Sequence, residues 1–119
     1  MIGRIAFTHY CVADMDRSVD FYQNALGLKL LFKRDDWSEF EIGGQRIALR
    51  FVDGWRGSSS GGSGATVSFL AEPIEGAVDR LKKLGVRFID ELRVYPYGKL
   101  ASFIDPDGNS IGLYQPPPA

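Results

Sequence analysis

The chain has 119 residues, 45% of them hydrophobic and 24% charged, with 14 basic and 15 acidic side chains and a formal net charge of −1. That is one globular domain, long enough to bury a core without metal or disulfide staples, and its single Cys11 forms no internal disulfide. The charge balance excludes a protein held on nucleic acid by phosphate contacts, no apolar run approaches the ~18 residues of a membrane helix, and the absence of a basic stretch followed by an apolar one predicts no signal peptide and a soluble, cytoplasmic protein.

In chain order, Arg4 to Val12 alternates with period two and reads as a strand, with Ile5, Phe7, His9 and Cys11 on one face. Asp14 suits a helix N-cap. A helix from about Met15 to Ala25 follows, with Val19, Tyr22 and Leu26 in one stripe and Gly27 as its stop. Leu28 to Phe32, Trp37 to Ile42 and Arg46 to Val52 read as strands, the last two joined at Gly43-Gly44. Ala65 to Leu70 is the next strand. Pro73 suits the first helical position, and Ile74, Ala77, Val78, Leu81 and Leu84 keep helical spacing up to Gly85. Val86 to Ile89, a segment around Leu92 to Val94, and Leu100 to Ile104 read as strands. Asp105-Pro106-Asp107-Gly108-Asn109 is a turn, Ser110 to Tyr114 is the last strand, and Pro116 to Pro118 end the structure.

The order is one β-α-β-β-β unit written twice. Asp14 lies thirteen residues before Gly27 and Glu72 thirteen before Gly85, so the two copies are offset by about 58 residues. A twofold repeat of this length is a duplicated module rather than a solenoid. The modules run over about 1–54 and 65–115. Residues 55–64, with Gly-Ser-Ser-Ser-Gly-Gly-Ser-Gly inside them, read as a flexible linker or as a rim over a site.

Val12-Ala13-Asp14, Ser18, Phe21-Tyr22 and Leu26-Gly27-Leu28 resemble the first-module signature of the vicinal oxygen chelate superfamily, which includes glyoxalase I, bleomycin resistance proteins, extradiol dioxygenases and methylmalonyl-CoA epimerase. Gly98, Phe103 and Asp105-Pro106-Asp107-Gly108-Asn109 with Ile111 and Leu113 resemble its closing signature. The resemblance covers nearly the whole chain. It implies an α+β fold whose two βαβββ modules form curled, cup-shaped sheets with helices outside. Period-two alternation then turns Val12, Ile47, Leu49, Val67, Phe69, Ile111 and Leu113 toward the helices. The cup is expected to be lined by Phe7, His9, Cys11, Ala48 and Arg50 from the first module, and by Thr66, Ser68, Ser102, Gly112 and Tyr114 from the second.

The metal enzymes this chain resembles hold an ion with ligands on the first and last strand of each module. Those positions fall on Phe7, Thr66, Ala48 (or Arg50, one pleat on) and Gly112. Phe, Ala and Gly have no side-chain donor, and a neutral Thr hydroxyl is a poor ligand for a divalent ion. Thus no cofactor is expected. A shifted site built on His9, with Glu39, Glu41 or Asp105, is the alternative, and it would take Zn, Ni, Mn or Fe.

Several side chains are candidates for ligand contact. His9 either contacts a ligand or is a satisfied wall residue. Cys11 lies about 7 Å along the strand from His9, too far for a nucleophile–base pair, and reads as a small buried residue. Arg50 either pairs with Glu39 or Glu41 on the adjacent strand or clamps an anionic or carbonyl-bearing ligand. Phe7, Trp37, Tyr95, Tyr97 and Tyr114 are positioned to stack on a planar ligand, although most aromatics in such a domain are core. The ligand-binding set is therefore His9, Arg50, Phe7, Ser68, Ser102, Tyr114, Trp37 and Tyr97. The function that follows is binding of a small organic molecule, in the manner of bleomycin resistance proteins, by a homodimer without a membrane or nucleic-acid partner. Bleomycin itself, a cation, does not suit Arg50 and His9; an anionic, phenolic or carbonyl-rich aromatic ligand does. Whether catalysis occurs is left open: the enzyme alternative is a glyoxalase-like lyase, an isomerase or a dioxygenase.

Overall fold

The structure, a computed structural model, describes residues 1–56 and 66–118. Most of the linker predicted over 55–64 lies outside the described residues. The chain divides into two compact units, Met1–Gly57 and Ser58–Ala119.

The first unit runs β1 (Thr8–Val12), α1 (Met15–Asp20), a π-helical turn (Phe21–Ala25), β2 (Lys29–Lys33), β3 (Trp37–Ile42) and β4 (Gln45–Phe51). Its strands pair in the order β1-β4-β3-β2, β1 parallel to β4 and the others antiparallel. The strand predicted from Arg4 begins only at Thr8, because the ladder with β4 starts there, opposite Ile47. Asp14 caps α1 as expected, its Oδ1 accepting from the Arg17 amide at 3.1 Å.

The single long helix expected up to Ala25 is not what forms. After one and a half α turns the backbone widens, and the Leu26 amide reaches back five residues to the Phe21 carbonyl. The extra residue in that turn breaks the stripe: Val19 and Tyr22 are buried, Leu26 is only half-buried, and Leu28 takes its place in the core. Gly27, at φ 75°, then ends the helix. Tyr22 is wholly enclosed, its ring 5.8 Å from Phe40 and 6.4 Å from Tyr10. With Val12, Ile47 and Leu49 these side chains make the core between α1 and the sheet.

The second unit repeats the plan with β5 (Val67–Leu70), α2 (Ile74–Lys83), β6 (Arg87–Tyr95), β7 (Gly98–Ile104) and β8 (Ser110–Gln115), in the strand order β5-β8-β7-β6. Ile74, Leu81, Ala101, Phe103, Ile111 and Leu113 form its core. The two segments predicted over Val86–Ile89 and Leu92–Val94 are one nine-residue strand. Its pairing with β7 slips between Phe88 and Asp90 and again between Asp90 and Arg93, and these irregularities break the alternation without ending the ladder.

Pro73 is the N-cap of α2 and not its first helical residue. Proline offers no capping side chain, and the Ile74 amide instead donates to Gln115 Oε1 at 2.8 Å, from the end of β8. The Asp105–Asn109 turn is held by one buried carboxylate. Asp105 Oδ1 accepts from the amides of Asp107 and Asn109, and Oδ2 from the Asn109 side chain, all at 2.9 Å. No buried side-chain nitrogen or oxygen lacks a partner among the described residues. No helix there is long and apolar enough to cross a membrane. This is an α+β fold of two mixed four-stranded sheets with helices, as the family resemblance implies.

Candidate functional site

Each sheet has a face turned away from its helix, and register decides what stands on it. In the first unit, β4 places Ala48 between His9 of β1 and Glu39 of β3. One pleat on, Arg50 lies between Cys11 and Trp37. Ala48 is fully buried, whereas His9 and Arg50 are exposed and Trp37 is half-buried. Phe7 precedes the strand yet joins this group. Its ring meets Trp37 edge-on at 5.3 Å and lies 6.2 Å from His9, while His9 and Trp37 are 5.5 Å apart. Three rings therefore form a patch beside Arg50.

The Trp37 indole is held. Its Nε1–H donates to Glu39 Oε2 at 2.8 Å, and Glu39 Oε1 accepts from Arg46 Nη1 at 2.9 Å. Pairing of Arg50 with Glu39 or Glu41 was one of its two expected fates. Glu39 is instead engaged with Arg46 and Trp37, and Glu41 Oε1 accepts from the Gly44 amide at 3.4 Å. The Arg50 side chain makes no hydrogen bond or ion pair among the described residues. Sequence reasoning missed Arg46 altogether. The available signal was its position two residues before Ala48 on the same face, which puts it diagonal to Glu39.

In the second unit, the matching row is Ser68–Gly112–Ser102, followed by Leu70–Tyr114–Leu100. Gly112 is bare for a steric reason: a Cβ there would run into the Ser68 hydroxyl. The Tyr114 hydroxyl donates to the Tyr97 carbonyl at 2.8 Å, and its ring fills the space over Gly98, which sits at φ 138°. Tyr97 stacks on Tyr95 with centroids 5.0 Å apart and planes 7° from parallel. Of the predicted ligand contacts, Phe7, His9, Trp37 and Arg50 thus gather on one face of the first unit. Ser68, Ser102 and Tyr114 share a face of the second, with Tyr97 bonded to Tyr114 at its rim. Thr66 is exposed just ahead of β5.

A shallow groove of about 440 Å³ at the end of β1 is lined by Asp14, Asp16, Asp35, Asp36 and Phe51 among others. Asp14 caps α1 and Asp16 pairs with Lys33, which leaves the Asp35 and Asp36 carboxylates on its wall. The Lys99 ammonium, bonded to Glu75 at 2.5 Å, holds that carboxyl below its ordinary value of 4.5.

The chain belongs to the Glyoxalase/Bleomycin resistance protein/Dioxygenase superfamily, whose family model matches residues 2–113. Lactoylglutathione lyase from Oryza sativa subsp. japonica is 32% identical over 122 residues, covering 86% of this chain and 40% of that protein; the chain thus spans well under half of the rice enzyme's length. Metallothiol transferase FosB of Lysinibacillus sphaericus (strain C3-41) is 28% identical over 108 residues, covering 88% of this chain and 77% of that protein. Among solved structures, TnmS3, an antibiotic binding protein from Streptomyces sp. CB03234, superposes with a TM-score of 0.76 at 27% identity, covering 98% of both chains.

The superfamily resemblance implies a divalent metal, and the side chains at the carried-over positions do not suit one. Phe7 offers a ring, Ala48 a buried methyl and Gly112 only hydrogen, with Ser68 occupying the space a longer side chain would need. The acidic partners a shifted site at His9 would use are hydrogen-bonded elsewhere: Glu39 to Trp37 and Arg46, Glu41 to the Gly44 amide, and Asp105 within its own turn. No group of three His, Cys, Asp or Glu residues suited to a metal ion occurs among the described residues.

Proposed function

We propose that this protein binds a small organic molecule on the open face of its sheets without using the family's metal centre. The ligand is an aromatic compound that carries an anionic, phenolic or carbonyl-rich group. The observation that carries this reading is the Arg50 guanidinium, without a partner among the described residues and beside the Phe7–His9–Trp37 rings. An aromatic patch supplies apolar area and stacking, and a free guanidinium supplies a two-pronged, charge-assisted contact for a carboxylate, phenolate or carbonyl. The matching face of the second unit, taken by itself, carries the Ser68 and Ser102 hydroxyls and the Tyr114 ring. The likeness to TnmS3, described as an antibiotic binding protein, supports binding over turnover.

A thermal-shift screen of aromatic acids, phenols and quinones tests this, since a ligand that binds the folded state raises its melting temperature by mass action. Arg50→Ala is expected to weaken the best anionic hit about tenfold or more, the worth of one charge-assisted contact, while leaving the unliganded melting temperature unchanged because Arg50 is exposed and has no partner among the described residues. Unchanged affinity in that variant sinks the clamp.

The competing reading is a lyase, isomerase or dioxygenase with a metal held by His9. Metal analysis of untagged protein separates the two: stoichiometric Zn, Ni, Mn or Fe that is lost in His9→Ala would establish the enzyme. We further propose that the protein is cytoplasmic and acts as a homodimer. A monomer by light scattering at micromolar concentration removes the dimer.

A further inference from the structure

Glu39 stands between two arginines. It faces Ala48 across the β3–β4 ladder, so Arg46 and Arg50 are its two diagonal neighbours on the same face, both within reach for long side chains. Only one is engaged. Glu39 Oε1 accepts from Arg46 at 2.9 Å and Oε2 from the Trp37 indole at 2.8 Å, so both oxygens are occupied and the charge is matched. The carboxylate is 13% exposed and Arg46 is 56% exposed. A carboxylate this enclosed that lost Arg46 would need another cation. Arg50 is the remaining diagonal arginine and has no partner among the described residues.

We propose that Arg46 is a positioning residue that sets the ligand specificity of this face. By holding Glu39 it keeps Arg50 out of a pair with that carboxylate, and the face selects aromatic molecules that carry an anion. When Arg46 is removed, Glu39 pairs with Arg50, and the face keeps its rings but loses its preference for negative charge. The specificity follows from the ligand reading above, whereas the exchange of partners does not depend on it.

Two measurements on the full chain test the two parts. The Arg50 side-chain Nε–H resonance, identified by its loss in Arg50→Lys, reports pairing without any ligand. It is expected to shift and to exchange several-fold more slowly with solvent in Arg46→Ala, and to return to the parent value in Arg46→Ala with Glu39→Gln. Fluorescence of Trp37 in a Trp55→Phe background then reports binding of 2-naphthoate and of its uncharged relative 2-methoxynaphthalene. Arg46→Ala is expected to weaken naphthoate about tenfold and to leave methoxynaphthalene unchanged, with the second substitution restoring naphthoate. A merely structural role for Arg46 would not be rescued by Glu39→Gln. An Arg50 signal that ignores Arg46→Ala overturns the proposal even if naphthoate binds. A responsive signal with no naphthoate binding to the parent upholds the exchange of partners and overturns the ligand reading instead.

Discussion

On the open face of the first sheet the central row is His9–Ala48–Glu39, and on the second it is Ser68–Gly112–Ser102; the next rows are Cys11–Arg50–Trp37 and Leu70–Tyr114–Leu100. The ladders match strand for strand, yet the chemistry does not. The first face carries rings, two glutamates and two arginines. The second carries small hydroxyls, and its tyrosine hydroxyl is spent on the backbone. The opposite faces agree: Phe40, Ile47 and Leu49 in one unit answer Phe103, Ile111 and Leu113 in the other, all buried. Burial against a helix tolerates only apolar bulk of the right shape. The face away from the helix has no such restraint, so the duplicated scaffold could diverge there one residue at a time.

The strongest challenge to this comparison is to the shared core. Phe40→Ala and Phe103→Ala each empty a fully buried ring site, and each is expected to cost about 3–5 kcal/mol in urea unfolding. Equal losses support equivalent cores; a loss under about 1 kcal/mol in one alone would show that its site collapses and the equivalence is superficial. The bare centre of the second face comes next. Gly112→Ala drives a Cβ into Ser68, with an expected cost of about 1–3 kcal/mol for overpacking. Ser68→Gly in the same chain should recover most of that loss. If it does not, the glycine serves some other need than room for Ser68.

The smallest effect concerns Glu75 and Lys99, an exposed pair that bridges α2 and β7. Lys99 holds the Glu75 carboxyl below its ordinary 4.5. The folded state therefore binds that proton less readily than the unfolded state. The pair's contribution is fully present above the ordinary value and is lost as pH falls through the lowered one. Lys99→Met should be slightly less stable than the parent at pH 7 and indistinguishable from it in strong acid. A gap that persists into acid would assign the loss to packing of the lysine stem.

Much of this was legible in the residues. The β-α-β-β-β order, the Asp14 cap, the Gly27 and Gly85 stops and the helix-facing apolar set follow from periods and end signals that act over a few residues. Period-two alternation put His9 and Arg50 on one face, whereas Trp37 was expected only as a stacking aromatic. The π turn after Asp20 was not legible, because it keeps the composition of a helix and changes only which carbonyl each amide reaches. The continuous β6 was not either, since irregular pairing disrupts alternation in the same way a loop does.

Two outcomes needed the folded chain. Gln115 caps α2 across 41 residues of sequence because β8 ends where the first helical amide is exposed. Glu39 takes Arg46 and leaves Arg50 open, although alternation makes the two arginines equivalent neighbours. Periodicity assigns a side chain to a face, because that depends only on its own backbone. Which partner it takes depends on how the neighbouring side chains, here the Trp37 indole, have already filled the space and the acceptors around it.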